Sequence, residues 1–355
     1  MLHKTGVVGV SIRDDIVRVL QLTYTKGVAT VFAFGAAPLP KGAVVNGNVE
    51  DPVRVGETVR AVCEHAAPHA VDVTRGAACA LPESKTFLRI MSLPRMPDDQ
   101  VASAVKWEME GYVPLPIDDV YYDYQHVPVL ENGEEMMSIV VVAAARSVVD
   151  SYIIALKHAG LHVRCIEADS TADARAVVRP DASGGQMVVF CGDTSSRLAI
   201  VVAGVPIFAV SVPVGYQTFV TDVTRALGVS VQEAQRLIAA DGIGSYIVND
   251  PLFDAVAPSA RVLSDEIRKS ADFCLQTLAQ CQNVTSVVLC GKGATIKGLR
   301  SFLVKETGIP MVIADPWQNV QRAQDVLPPL SRTEALDAVT VIGLSSRTLT
   351  YADFD

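Results

Sequence analysis

Two strand–turn–strand runs, about 180 residues apart, constrain this chain more than any other feature. In the first, Val7–Ile12 is apolar, Arg13–Asp15 is a turn, and Ile16–Leu22 and Val28–Gly35 are further apolar runs. In the second, Met187–Cys191, a Gly192–Ser196 turn, Leu198–Val202, a Gly204–Pro206 turn and Ile207–Val212 repeat the order. β-Branched runs bounded by Gly, Pro, Asp and Ser read as strands joined by turns. A β-meander met twice predicts a duplicated α/β domain: two halves with a cleft between them, one turn from each half facing it.

The 355 residues suffice for about two or three domains, and half of them are hydrophobic, so a large core is expected. The formal net charge of −9 and the lack of any basic run weigh against nucleic acid, whose phosphates need clustered Lys and Arg. The seven cysteines form no CxxC pair and mostly sit among apolar neighbours, which predicts buried free thiols in a reducing compartment. Met1–Lys4 leads straight into a strand, without the basic start and apolar core of a signal peptide. Leu198–Thr221 carries no charge but is broken by Gly204, Pro206, Pro213 and Gly215, so it reads as a buried hairpin and not a membrane span. The expected location is the cytoplasm.

Between and after the meanders, periodicity predicts the remaining elements. Asp51–Ala66 reads as a helix with Asp51 as N-cap, Pro52 in its first turn, and Val53, Val55, Val59 and Val62 on one side. Ala77–Leu81 reads as a strand. A strand at Lys85–Ser92, a helix at Pro97–Met109, strands at Val120–Val129 and Met136–Ala145 and a helix at Ser147–Ala159 compose a small α+β insert over residues 84–161. A strand at Val163–Ile166 and a helix at Asp169–Val178 precede a crossing at Arg179–Gly185. Helices are expected at Tyr216–Leu227, Val231–Ala240, Ala260–Gln280, Ile296–Thr307 and Glu334–Ser345, with Ile243–Pro258 irregular. Strands are expected at Ser286–Cys290 and Met311–Ile313. The domain scheme is then residues 1–83, completed by 162–184 and 334–347; the insert, 84–161; a second lobe of 185–213 and 286–333; and its subdomain, 214–285.

Several stretches, in order, carry a resemblance: Gly9–Leu22; Pro94–Tyr124 with Trp107-Glu108, Tyr112-Val113-Pro114-Leu115-Pro116 and Asp123-Tyr124; Ala143–Arg146; Pro206–Leu237; Cys290–Leu299; and Ala338–Arg347. Over nearly its whole length the chain resembles the actin-like ATPases and, within them, the type IV pilus assembly PilM family. The insert is similar to the subdomain that this family shares with the cell-division protein FtsA. The resemblance implies a duplicated, ribonuclease H-like two-lobe fold with the insert in the first lobe. It also implies a nucleotide site lined by Ser11, Arg13, Asp14, Gly192, Asp193, Gly215, Gln235, Gly291 and Gly293.

That site departs from the family pattern. Each phosphate loop should read Asp-X-Gly; here they are Ser11-Ile12-Arg13 and Phe190-Cys191-Gly192. Lys292 stands between Gly291 and Gly293, and Gln235 and Ile238 replace a Glu and a Lys. Without the acids that hold Mg²⁺, the expectation is a degenerate ATPase and not an enzyme, with no metal site and either no cofactor or ATP/Mg bound by other means. Arg13 is able to pair with a phosphate, and Asp14 and Asp193, three residues past the lost acids, are either shifted metal ligands or solvated turn residues.

The expected partner, implied by the resemblance, is the cytoplasmic tail of a PilN-like inner-membrane protein, held between the first lobe and the insert, alongside other pilus components. The terminal Leu349–Asp355 is not a basic amphipathic tail, so membrane association is expected to be indirect. Two further readings stay open: a nucleotide-gated, FtsA-like protein that polymerises or switches, and a small-molecule kinase, for which no catalytic Asp is legible. His65 and His69 are spaced as a helical metal pair would be, but Pro68 breaks the helix between them. Trp107, Tyr112, Tyr121, Tyr122 and Tyr124 gather aromatics in the insert, either as core or as a partner surface.

Overall fold

The computed structural model describes residues 4–127, 135–179, 184–243, 250–277, 283–320 and 330–347. The chain divides into two compact units: Met1–Ala176 with Trp317–Pro329 and Thr340–Asp355, and Val177–Pro316 with Leu330–Val339.

The first unit opens with the meander β1 (Lys4–Ile12), β2 (Ile16–Thr25) and β3 (Val28–Pro38). A small hairpin follows, β4 (Val44–Val45) and β5 (Asn48–Val49), then α1 (Pro52–Glu64), β6 (Ala67–Pro68) and β7 (Ala77–Leu81). Asp51 caps α1 by accepting the Arg54 N–H at 3.1 Å. The insert comprises β8 (Thr86–Pro94), α2 (Asp98–Glu110), β9 (Val120–His126) and β10 (Met136–Ala145). After it come α3 (Arg146–His158), β11 (Val163–Ala168) and α4 (Asp169–Val177).

The main sheet has the order β11-β7-β1-β2-β3-β6, parallel where β1, β7 and β11 meet and antiparallel through the meander. One face packs Val8, Val10, Val17, Val19 and Cys79 against α1 and α3. The α1 residues in that core are Val55, Val59 and Val62; Val53, expected on the same side, is exposed because it lies two residues before Val55, about 200° round the helix, on the opposite face.

The other face packs Val7, Ala78 and Ala80 against Ala172 of α4 and Leu344. Its small side chains let a helix approach the sheet closely. A Cβ at Gly9 would lie 2.7 Å from the Val341 carbonyl oxygen, and one at Gly343 would overlap the Ala172 carbonyl. The insert is a separate antiparallel sheet, β8-β10-β9, whose core of Met91, Leu93, Val105, Met109, Ile139 and Val141 holds only its own residues. β10 is its central strand, at the bounds its apolar run predicts.

The second unit repeats the plan. Its meander is β12 (Gly185–Cys191), β13 (Ser196–Val202) and β14 (Val205–Val212), followed by α5 (Tyr216–Leu227), α6 (Val231–Ala240), α7 (Pro251–Thr277), β15 (Val284–Cys290), α8 (Leu299–Thr307), β16 (Met311–Ile313) and α9 (Arg332–Asp337). The sheet order β14-β13-β12-β15-β16 matches β3-β2-β1-β7-β11 strand for strand, with the same parallel and antiparallel pairings.

Four expectations are corrected. Part of Ile243–Pro258 is helical: α7 begins at Pro251 and runs through Pro258, while residues 244–249 lie outside the described residues. Pro258 is exposed, and Leu252, Val256, Ala260 and Leu263 carry one buried stripe across it, so packing outweighs the lost hydrogen bond. The helix expected from Ile296 starts at Leu299, after a 3₁₀ turn at Lys292–Thr295. The closing helix is two, α9 and α10 (Val339–Ser345), parted at Ala338. Five cysteines are free, but Cys274 is disulfide-bonded, and Cys281 lies outside the described residues. The end of the strand expected at Val120–Val129 and the terminal Leu349–Asp355 also lie outside them.

Candidate functional site

The first candidate loop joins β1 to β2. Ser11 is buried, directly opposite Arg18 on β2 and beside Ala80 on β7. The turn closes with the Arg13 N–H donating to the Ile16 carbonyl at 3.0 Å. The Arg13 guanidinium turns into its own unit: it donates to Thr340 Oγ1 at 3.1 Å and lies 3.7 Å from the Asp169 carboxylate. Thr340 in turn donates to Asp173 at 2.8 Å. The loop is thereby tied to α4 and α10.

Asp14 accepts two backbone N–H groups, from Asn46 at 2.7 Å and Gly47 at 2.8 Å. These residues form the tip of the β4–β5 hairpin, and both have positive φ, the geometry that an Asn-Gly turn supplies at least cost. The Tyr152 hydroxyl of α3 donates to the Gly47 carbonyl at 3.0 Å from the other side. Burial holds the Tyr152 phenol well above its ordinary pKa, so it stays a donor.

The second loop joins β12 to β13 in the same register. Phe190 stands opposite Arg197 as Ser11 stands opposite Arg18, and the Gly192 N–H donates to the Ser195 carbonyl at 3.0 Å. Phe190 is fully buried, with the Arg197 guanidinium 3.7 Å from its ring centroid. The Asp193 carboxylate pairs with the Lys292 ammonium and accepts from Gln217 Nε2 at 3.2 Å. Lys292 also lies 4.4 Å from the Tyr216 ring centroid. The first amides of α5 are taken by this loop: Tyr216 N–H donates to the Gly192 carbonyl at 2.9 Å and Gln217 N–H to that of Asp193 at 2.8 Å.

Glycine is needed wherever other backbone meets this loop. A Cβ at Gly215 would come within 2.6 Å of the Asp193 carbonyl oxygen, and one at Gly293 would overlap Cys191 Sγ. Gly291 has φ +81° and abuts the Cys191 backbone. Of the second unit's candidates, Gly192, Asp193, Gly215, Gly291 and Gly293 therefore converge on one loop. Gln235, half-buried on α6, shares none of these contacts, and Ile238 is a core residue.

Sequence reasoning missed Lys292 as the partner of Asp193, and it missed the buried carboxylates Glu83, Asp169 and Asp173. The only local signal was an acid opening a helix directly after a strand, at Asp169. Glu83 accepts the Ser170 N–H at 3.2 Å. No group of three or more His, Cys, Asp or Glu among the described residues could hold a metal ion. The exposed His69 instead lies against Phe32, with ring centroids 4.9 Å apart. Among the described residues no helix is long and apolar enough to cross a membrane.

Comparison with known structures bears on the fold. The chain is similar to a structure described as the PilM-PilN type IV pilus biogenesis complex, with a TM-score of 0.78, 22% identity, and 97% of this chain and 98% of that one covered. It is similar to the ethanolamine utilization protein EutJ of Carboxydothermus hydrogenoformans, with TM-score 0.57, 14% identity, and 97% and 90% covered. It is also similar to MreB 5 of Spiroplasma citri bound to AMPPNP, with TM-score 0.55, 11% identity, and 95% and 94% covered. The architecture is the actin-like one. The family model of the type IV pilus assembly protein PilM matches residues 9–349, and the chain belongs to that family.

Proposed function

We propose that this chain is an adaptor of the type IV pilus assembly machine that binds the cytoplasmic tail of a PilN-like inner-membrane protein and does not hydrolyse ATP. It works in the cytoplasm and reaches the membrane through that partner, passing the connection to other pilus components. The partner is suggested by the PilM-PilN complex, which this chain matches along the full length of both.

One observation favours an adaptor over an ATPase: both loop aspartates are engaged within the protein. Asp14 is taken by two backbone amides, and Asp193 by Lys292 and Gln217. On the resemblance drawn above, Ser11 and Phe190 take the positions of the family's acids. This set does not fit a hydrolytic Mg·ATP site, which needs a carboxylate able to hold the metal or its waters.

A second reading rests on Lys292, which keeps 37% of its side chain exposed beside the loop that carries Gly192 and Asp193. In that reading a nucleotide draws Lys292 away from Asp193, and the protein is gated without hydrolysis. Isothermal titration separates the two. The adaptor gives heat with a PilN-type tail peptide, none with Mg·ATP up to millimolar, and a tail affinity unchanged by ATP. A tail that does not bind sinks the adaptor. Micromolar ATP binding that alters tail affinity replaces it with the gated protein.

A further inference from the structure

Trp107 is the most exposed large apolar side chain among the described residues, at 73%, while the chain's other tryptophan, Trp317, is 6% exposed. It stands on α2, away from Val101, Val105 and Met109, which are buried on the insert's sheet. Its neighbours one helical turn away are Ser103, Ala104, Glu110 and Gly111, so the indole rises above mostly small residues. Tyr112 and Leu115, also exposed, follow in the same stretch.

The insert's two exposed tyrosines are each covered by a cation of this chain. The Arg89 guanidinium lies 3.7 Å from the Tyr112 ring centroid, and that of Arg146 lies 4.1 Å from Tyr121. No cation covers Trp107 among the described residues, although indole is the best cation acceptor of the aromatic side chains. The surroundings are acidic. Residues 95–126 carry seven carboxylates against two bases, Arg95 and Lys106, and with Arg89 and Arg146 counted the net is −3; four of the acids, Asp98, Asp99, Glu108 and Glu110, are on α2 itself. Such a surface repels anionic lipid and nucleic acid and attracts a cationic segment.

We propose that the α2 face around Trp107 docks the Lys- and Arg-bearing, membrane-proximal stretch of the inner-membrane partner's tail, one cation seated on the indole and others paired with Glu108 and Glu110. The inference rests on the adaptor reading above. Its physical basis is the excess of Lys and Arg on the cytoplasmic flank of a membrane-spanning helix. An acidic surface with an uncapped tryptophan complements that flank in both charge and stacking.

The test uses the whole protein and a synthetic PilN-type tail, in native form and with its membrane-proximal Lys and Arg changed to Ser. Removing those cations, or making Trp107→Ala, lowers affinity about ten-fold or more, and the two changes together cost little beyond either alone. Glu108→Gln with Glu110→Gln gives a smaller loss and flattens the salt dependence. Trp107 is exposed, so its removal does not unfold the protein; circular dichroism checks this. A native tail that binds equally well to wild type and variants overturns this inference and leaves the adaptor reading standing. A tail that does not bind wild type overturns both. Co-sedimentation with phosphatidylglycerol vesicles that needs Trp107 but no tail would assign the surface to lipid instead. Self-association lost in Trp107→Ala would assign it to a second copy.

Discussion

The loops after β1 and β12 have one backbone and two chemistries. Both close with the same N–H-to-carbonyl turn, both place an arginine opposite the strand's penultimate residue, Ser11 or Phe190, and both carry an aspartate three residues on. In the first unit that aspartate grips backbone and organises a hairpin; in the second it grips a lysine side chain. Duplication therefore fixed the path of the chain and left the side chains free to settle separately. Glycine marks the difference too. The second loop keeps Gly192 and is ringed by close-packed glycines, whereas the first has Arg13, which ties it to α4 and α10.

The largest test of this contrast is Gly293→Ala. Its Cβ would overlap Cys191 Sγ, so the second loop must shift, and we expect a loss of about 3 kcal/mol or more in urea unfolding. Hydrogen exchange should localise the damage to the second unit; a neutral result would mean that the glycine ring is not needed.

Next comes pH. Burial pushes the Cys191 thiol up to about 11, partly offset by hydrogen bonds from Ser196 and the Gly293 backbone. Below about pH 9 both folded and unfolded thiols are protonated and stability is unaffected. Between about 9 and about 11 only the unfolded thiol ionises, so stability falls by about 1.4 kcal/mol per pH unit. Its counterpart in the first loop is Ile12, which cannot titrate. Cys191→Ala should remove this share of the alkaline loss and leave that of Cys63, raised to about 12.

Asp14→Ala strands two backbone amides at the hairpin tip and should cost about 2 kcal/mol, read as faster exchange in residues 44–49. Asp193→Ala breaks a half-exposed pair and should cost less than about 1 kcal/mol, shrinking further in salt. If the two aspartates cost the same, the division between a structural loop and a loosely held one is wrong.

The fold was legible where local signals suffice. Ala77–Leu81, Met136–Ala145, Tyr216–Leu227, Val231–Ala240 and Met311–Ile313 are observed at the bounds their runs and caps predict. The duplication was legible because two turns bounded by similar strands recur. The site was legible as positions and not as partners. Arg13 meets Thr340 across 327 residues and Lys292 meets Asp193 across 99, and no periodicity encodes such a meeting. Pro258 misled because a breaker's local cost is readable, while the buried stripe that overrides it is not readable one residue at a time.

The closing helix α10 lies against the strand made first, packed on Gly9 and tied to Arg13 through Thr340. During synthesis this sets an order of completion. The second unit has all its residues once Val339 has emerged, whereas the first, begun earlier, still lacks the helix that covers one face of its sheet. We expect released chains truncated after Val339 to resist protease in the second unit before the first; the reverse order would contradict this. A partner that needs the finished first unit would then meet only chains in which the second unit is already complete.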